Sequence, residues 1–162
     1  MLLHFGGTDE RFLNIKLIDI LSEVKNIKKL SIILGPALAY DYSKIYQNLK
    51  KLKFNYKIHD YPKKLNIIYN RSDLAITTGG NTLFNFCYMK QKNISISATK
   101  LEEKNCKRMQ TLNLTNYYGY YRDIDRKKFI QFYNKVILDN KKKKTKLIVE
   151  GVKEISKIID KN

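Results

Sequence analysis

Residues 73–91, "DLAITTGGNTLFNFCYMKQ", join an apolar run to a polar glycine pair and then to the opening of an amphipathic helix. Asp73 to Thr77 reads as a strand, Thr78-Gly79-Gly80 as a turn, and Asn81 or Thr82 as the helix start. Glycines at 79 and 80 allow positive φ and let a ligand approach where a Cβ would collide. The free N–H groups and positive dipole end of the helix would face that approach. Two readings stay open on these residues alone, a cradle for phosphate or ribose and a plain tight turn.

The same strand–turn–helix unit recurs on both sides of this stretch. Residues 2–5, "LLHF", form a short apolar strand closed by Gly6-Gly7, and Thr8 or Asp9 can cap a helix carrying Phe12, Ile15, Leu17, Ile18, Ile20 and Leu21. "KLSIILG", 29–35, is a continuous run of the kind buried on both faces of a parallel sheet, and a helix over 41–51 follows. A strand at 55–58 precedes a short helix that opens with Pro62 and carries Leu65, Ile68 and Tyr69. "DLAIT" is the fourth strand, with its helix over 81–89. "NISISA", 93–98, is the fifth, with a helix near 103–112. "NYYGYY" reads as a last edge strand, before helices over 125–138 and 145–159. Such alternation predicts an α/β fold, a Rossmann-like three-layer α/β/α domain with a mainly parallel sheet. Ligands of such sheets sit at the carboxyl ends of the strands. Three loops fall there: Gly6-Gly7-Thr8, Gly35-Pro36, and Thr77 to Thr82. Neither glycine pair spells a dinucleotide fingerprint or a P-loop.

Length and charge narrow the classes. One domain over residues 1–162 is expected, since the chain can bury one sizeable core. No apolar run is long enough to span a membrane and the start lacks the pattern of a signal peptide, so a cytoplasmic chain is expected. Cys87 and Cys106 fit neither a metal pair nor a disulfide framework and read as reduced thiols. The net charge of +17 comes from 27 lysines against 5 arginines, with abundant asparagine and isoleucine, a bias typical of AT-rich coding sequence. Nucleic-acid binding is therefore not the expected role. The densest run, residues 140–146, reads as a solvated linker, with contact to an acidic membrane surface as its alternative.

"HFGGTDERFLNIKLIDIL", "SIILGP" and "SDLAITTGGNTLFNFCYMKQKNISI" together resemble the C-terminal half of GT-B-fold nucleotide-sugar enzymes over about residues 1–115. Within that group they look most like the UDP-sugar hydrolases of pseudaminic acid biosynthesis (PseG-like) and their spore-coat polysaccharide relatives (SpsG-like). MurG-type glycosyltransferases are more distant. The resemblance implies a UDP-sugar ligand and no metal or other cofactor. It places Gly6, Gly7, Thr8 and Gly35 along the cleft, and Thr78, Gly79, Gly80, Asn81 and Thr82 at the diphosphate. Position 85 falls at the ribose or sugar, and Asn105 at the family's Asn-Gln pair. The sequence departs from the family at Asn85, where the pattern has Glu, at Lys104-Asn105, and at Lys92 in place of proline. It also opens directly on the strand that begins the second half of such enzymes, so a separate N-terminal half is an implied partner. The histidine that acts as general base in the relatives belongs to that half. Here His4 reads as a packed strand residue, while His59 lies nearer the cleft edge, and no residue is named as catalytic. A glycosyltransferase domain and a non-catalytic binding subunit remain the alternatives.

Overall fold

The computed structural model describes residues 1–139. The lysine run 140–146 and the expected helix 145–159 lie outside the described residues. Strands β1 (Leu2–His4), β2 (Lys29–Leu34), β3 (Asn55–Asp60), β4 (Ala75–Thr78), β5 (Asn93–Ser97) and β6 (Asn116–Tyr120) form one sheet in the order β3-β2-β1-β4-β5-β6. Every ladder in it is parallel. Between them run helices α1 (Leu13–Leu21), α2 (Tyr42–Leu49), α3 (Leu65–Asn70), α4 (Asn81–Tyr88) and α5 (Lys100–Thr111), and α6 (Arg126–Leu138) follows β6.

The period-2 alternation of the strands divides the helices into two layers. Leu3, Ile32, Leu34, Ile76, Ile94 and Ile96 face one way, onto Leu17 and Leu21 of α1, Ile45 of α2 and Phe129 of α6. Leu2, Ile33 and Ala75 face the other way, onto Tyr69 of α3 and Phe86 of α4. Leu83, Cys87, Cys106 and Met109 continue that second layer between α4 and α5. This is the expected Rossmann-like α/β/α arrangement, and burial of a sheet on both faces by crossover helices is why its strands read as apolar runs.

Several boundaries differ from the sequence reading, each for a local reason. Phe12 is not in α1: it holds φ 57°, lies 41% exposed and ends the loop, and the helix starts at Leu13. Strand β3 extends to Asp60 because its ladder with β2 continues through His59 and Asp60. Helix α5 begins earlier, at Lys100, because the Thr99 side chain caps it by accepting from Glu102 N. Thr99 and Glu102 spell the capping-box pattern, in which a Glu three residues inside the helix reaches back to the preceding chain. Its carboxylate here accepts from Ala98 N at 2.7 Å.

Candidate functional site

The strand order reverses its direction of growth between β1 and β4, so the loops leaving these two strands diverge to opposite faces of the sheet. That divergence opens a crevice at their carboxyl ends, where open α/β sheets bind ligands. A cleft of about 170 Å³ lies there, lined by Thr8, Asp9, Arg11, Thr78, Thr99 and Glu102 among others. A larger cavity, about 370 Å³, sits at the opposite edge between Lys28, Lys29, Arg71 and Asp73. Size favours the second and chemistry the first, because helix N-termini, with their unpaired N–H groups, converge only on the carboxyl edge.

The two glycine loops have different roles. In the first, Gly6 needs its φ of +81° to turn the chain. Gly7 and Gly35 touch backbone to backbone: a Cβ on Gly35 would lie 2.5 Å from the Gly7 carbonyl carbon. Ala37 N and Ala39 N donate to the carbonyls of Gly7 and Thr8 at 3.1 and 2.8 Å, joining the loops after β1 and β2. The chain then reverses through Asp9, at φ 45°, so that its carboxylate reaches the start of α1. Asp9 accepts from Leu13 N at 2.8 Å, Asn14 N at 3.0 Å, Asn14 Nδ2 at 2.9 Å and Tyr40 OH at 2.5 Å. Burial pushes this carboxyl up, and the four donors pull it back down. Burial outweighs the donors, so the carboxyl stays above the usual carboxylate range while its oxygens remain occupied by the helix start. The N-terminus of α1 is thus filled by the protein's own anion. Asp9→Asn turns two donors against the helix start and should cost about 2 kcal/mol in chemical denaturation, with α1 amides losing exchange protection first.

The second loop is open. Contrary to the sequence expectation, neither of its glycines has positive φ; the described glycines that do are Gly6 and Gly119. Gly79 is small because α5 lies on it: a Cβ would meet the Glu102 backbone oxygen and, at 2.8 Å, Cys106 Sγ. Asn105 Nδ2 donates to Gly79 O at 2.9 Å and fixes the turn from above. A Cβ on Gly80 would meet nothing nearer than Glu102 Oε1 at 3.7 Å, so no contact within the chain demands glycine there. Helix α4 starts at once, at Asn81, with no side-chain cap. Asp9 serves α1, Asp41 α2, Thr99 α5 and Asp125 α6. Among the described helices of eight or more residues, α4 alone starts without a side-chain acceptor; Leu83 N turns back to Gly80 O at 3.0 Å, which leaves the N–H groups of Asn81 and Thr82 for a ligand.

The expected residues therefore separate. Thr8 and Thr78 line the cleft, and exposed Asn81 opens α4. Thr82 is buried and Asn85 exposed on the same helix, and both lie beside the Tyr69 hydroxyl, which burial raises and these two side chains lower in pKa. Gly7, Gly35, Gly79 and Asn105 hold the loops in place. His4 is packed: it is 7% exposed, and its Nδ1 lies 2.8 Å from Tyr69 OH. His59 lies on β3, at the outer edge of the sheet and away from the cleft. Glu102 was missed by the sequence reading, although the Thr99-Lys100-Leu101-Glu102 capping pattern marked it; its Oε2 accepts from Ala98 N, and its Oε1 faces Gly80.

Neither a family model nor a curated sequence matches the chain. Among solved structures, the glycotransferase of kitacinnamycin shares the fold, with a TM-score of 0.62 at 12% identity over 86% of this chain. The match spans 34% of that protein's length. The likeness establishes the Rossmann-like architecture, and the similarity is to a glycosyltransferase.

Proposed function

We propose that the chain is a single nucleotide-sugar-binding domain, equivalent to the C-terminal half of a GT-B enzyme and of the PseG-like hydrolase kind that its loops resemble. The observation that carries this reading is the uncapped start of α4 at the switch point, with a glycine before it that no internal contact requires. A diphosphate fits there because free N–H groups and the helix dipole both favour an anion. Asn81 and Thr82 would meet the diphosphate, and Asn85, one turn further along the same helix, the ribose or sugar. The intact enzyme would release UDP from an activated amino-sugar by attack of water, with the general base supplied by an N-terminal half, on a preceding segment or on another chain. A glycosyltransferase is the second reading, favoured by the nature of the structural neighbour. Supplying the partner half separates the two readings, through free sugar formed with water alone or transfer only when an acceptor is present.

Titration with UDP and UDP-N-acetylhexosamines tests the binding. Heat and amide shifts confined to Gly79 through Asn85 are expected, and their absence at millimolar ligand overturns the reading. Asn85→Glu should tighten UDP-sugar binding roughly tenfold, since a carboxylate accepts both hydroxyls of a ribose diol where an amide oxygen accepts less strongly.

A further inference from the structure

Arginine is scarce here, 5 residues against 27 lysines. In such a composition the guanidinium fork is concentrated at few places, and its planar bidentate geometry is not reproduced by lysine. Two of the five meet at one ring. Arg11 Cζ lies 5.3 Å and Arg122 Cζ 5.5 Å from the centroid of Tyr121, and Arg122 Nε donates to the Tyr121 hydroxyl at 2.9 Å. A third cation joins them, as Lys16 Nζ donates to Tyr121 O at 3.3 Å.

Among the described residues no carboxylate forms an ion pair with either arginine, although Asp9, Glu10 and Glu102 line the same cleft as Arg11. Glu10 and Asp123 are their sequence neighbours, yet the ion pairs of the described residues are elsewhere: Asp19 with Lys51 and Arg126, Glu23 with Arg126, and Glu103 with Lys107. Both guanidinium groups are exposed. Cation–π contact with an accessible ring contributes little, and gathering like charges offsets part of it. Position supplies the remaining argument. Tyr121 begins the turn at the carboxyl end of β6, and Arg11 also lines the cleft at the switch point. The cluster therefore adjoins the cleft on the α1 side of the sheet, whereas the open start of α4 belongs to the other side.

We propose that Arg11 and Arg122, gathered on Tyr121, bind an oxyanion, a carboxylate or phosphate, carried by the glycosyl group or by a second substrate that enters the cleft. Assigning this anion to a substrate rests on the nucleotide-sugar reading; the anion site itself rests only on the cluster. The ligand class is then doubly anionic, with a diphosphate at α4 and a second acidic group about Tyr121. A fork on each arginine can grip that group through paired N–H donors.

Five arginines give five Nε–Hε resonances, so a ¹⁵N-labelled full-length chain reads the site directly. UDP-glucose, UDP-glucuronate, free glucuronate and inorganic phosphate are the probes. UDP-glucuronate should shift the Arg11 and Arg122 signals and bind about tenfold tighter than UDP-glucose. R11K and R122K keep the charge but lose the fork, and each should abolish that preference; R122K, which lies outside the cleft lining, should do so with UDP-glucose affinity unchanged. If the anion belongs to a second substrate, free glucuronate or phosphate shifts the same two signals with UDP already bound. Stationary Arg11 and Arg122 signals under every probe, or an unchanged preference in R122K, overturn the proposal. Phosphate shifts at Arg11 and Arg122 without any UDP shift at Gly79 to Thr82 would keep the anion site and remove the nucleotide-sugar reading.

Discussion

Gly79→Ala should lower the stability of the fold by about 3 kcal/mol, while Gly80→Ala, one residue on, should leave it within about 0.5 kcal/mol and weaken ligand binding instead. The first expectation follows from α5. An alanine Cβ at 79 would lie 2.8 Å from both Cys106 Sγ and Glu102 Cβ and closer still to the Glu102 backbone oxygen. The last of these cannot rotate away, because Thr99 and Glu102 cap the helix and Asn105 binds the turn. The helix must shift, and its buried Cys106 and Met109 shift with it. At Gly80 the nearest atom is the end of a flexible side chain at 3.7 Å, so the protein accommodates a methyl group. A phosphate seated on the N–H groups of Asn81 and Thr82 would not. Urea denaturation of the two variants, paired with UDP titration, separates a packing glycine from a binding glycine. Equal destabilisation by both, with unaltered binding by Gly80→Ala, would reduce the loop to a plain turn.

This pair also marks the limit of what the sequence could disclose. Alternation of strands and helices was legible because each element buries a face, and the pattern of that face is written locally. Asp41 before Tyr42-Ser43 and Asp125 before α6 were readable as caps for the same reason. Which glycine pair stays open was not legible, because the answer depends on α5, more than twenty residues away in the chain, and on where the Asp9 side chain goes. Both pairs look alike in sequence, yet one helix start is filled by an aspartate reached through a reversed loop and the other is bare. Phe12 misled for a related reason: its spacing fits the apolar stripe of α1, but the reversal that delivers Asp9 places it in the left-handed region, stacked on Tyr40 at 4.9 Å. Strand β5 alternates polar and apolar residues, Asn-Ile-Ser-Ile-Ser, and all five are buried. Its polar side chains are satisfied by β6 and the chain leading into it, where the Thr115 hydroxyl donates to Asn93 Oδ1 and pairs with the Ser95 hydroxyl at 3.0 Å, and the Tyr117 hydroxyl pairs with Ser97. No local pattern announces that pairing.

Acid should destabilise the protein earlier than its carboxylates require, and His4 is the cause. His4 lies between Ile33 of β2 and Thr77 of β4 in the sheet, its ring against the Tyr69 hydroxyl, and burial pushes its pKa from 6.5 down to about 4. The folded protein thus refuses a proton that the unfolded chain accepts. Below pH 6.5 the unfolded state binds more protons, so stability falls as the pH falls, and the loss from this group ends near pH 4, where the folded ring protonates as well. Integrated over that window the loss is about 2 kcal/mol by pH 5 and about 3 kcal/mol by pH 4. Asp19 and Asp41, whose carboxyls are lowered by Lys51 and by Ser43, lose their contributions only at still lower pH. Asp9, raised by burial, acts with the opposite sign, and His59, lowered by burial, acts with the same sign, so the difference between wild type and variant is the quantity to measure. His4→Gln offers a hydrogen-bonding side chain to Tyr69 but does not titrate. Denaturation midpoints at pH 7 and pH 5 should diverge for the wild type and converge for the variant, and parallel pH profiles would remove His4 as the cause. The consequence reaches the site, because Tyr69 stands between His4 and the helix that carries Thr82 and Asn85. A protonated His4 offers only donors, so the Tyr69 hydroxyl accepts from it and turns its own proton toward α4. Ligand affinity at Asn85 should accordingly weaken with acid in the wild type more than in His4→Gln, at pH values where both remain folded.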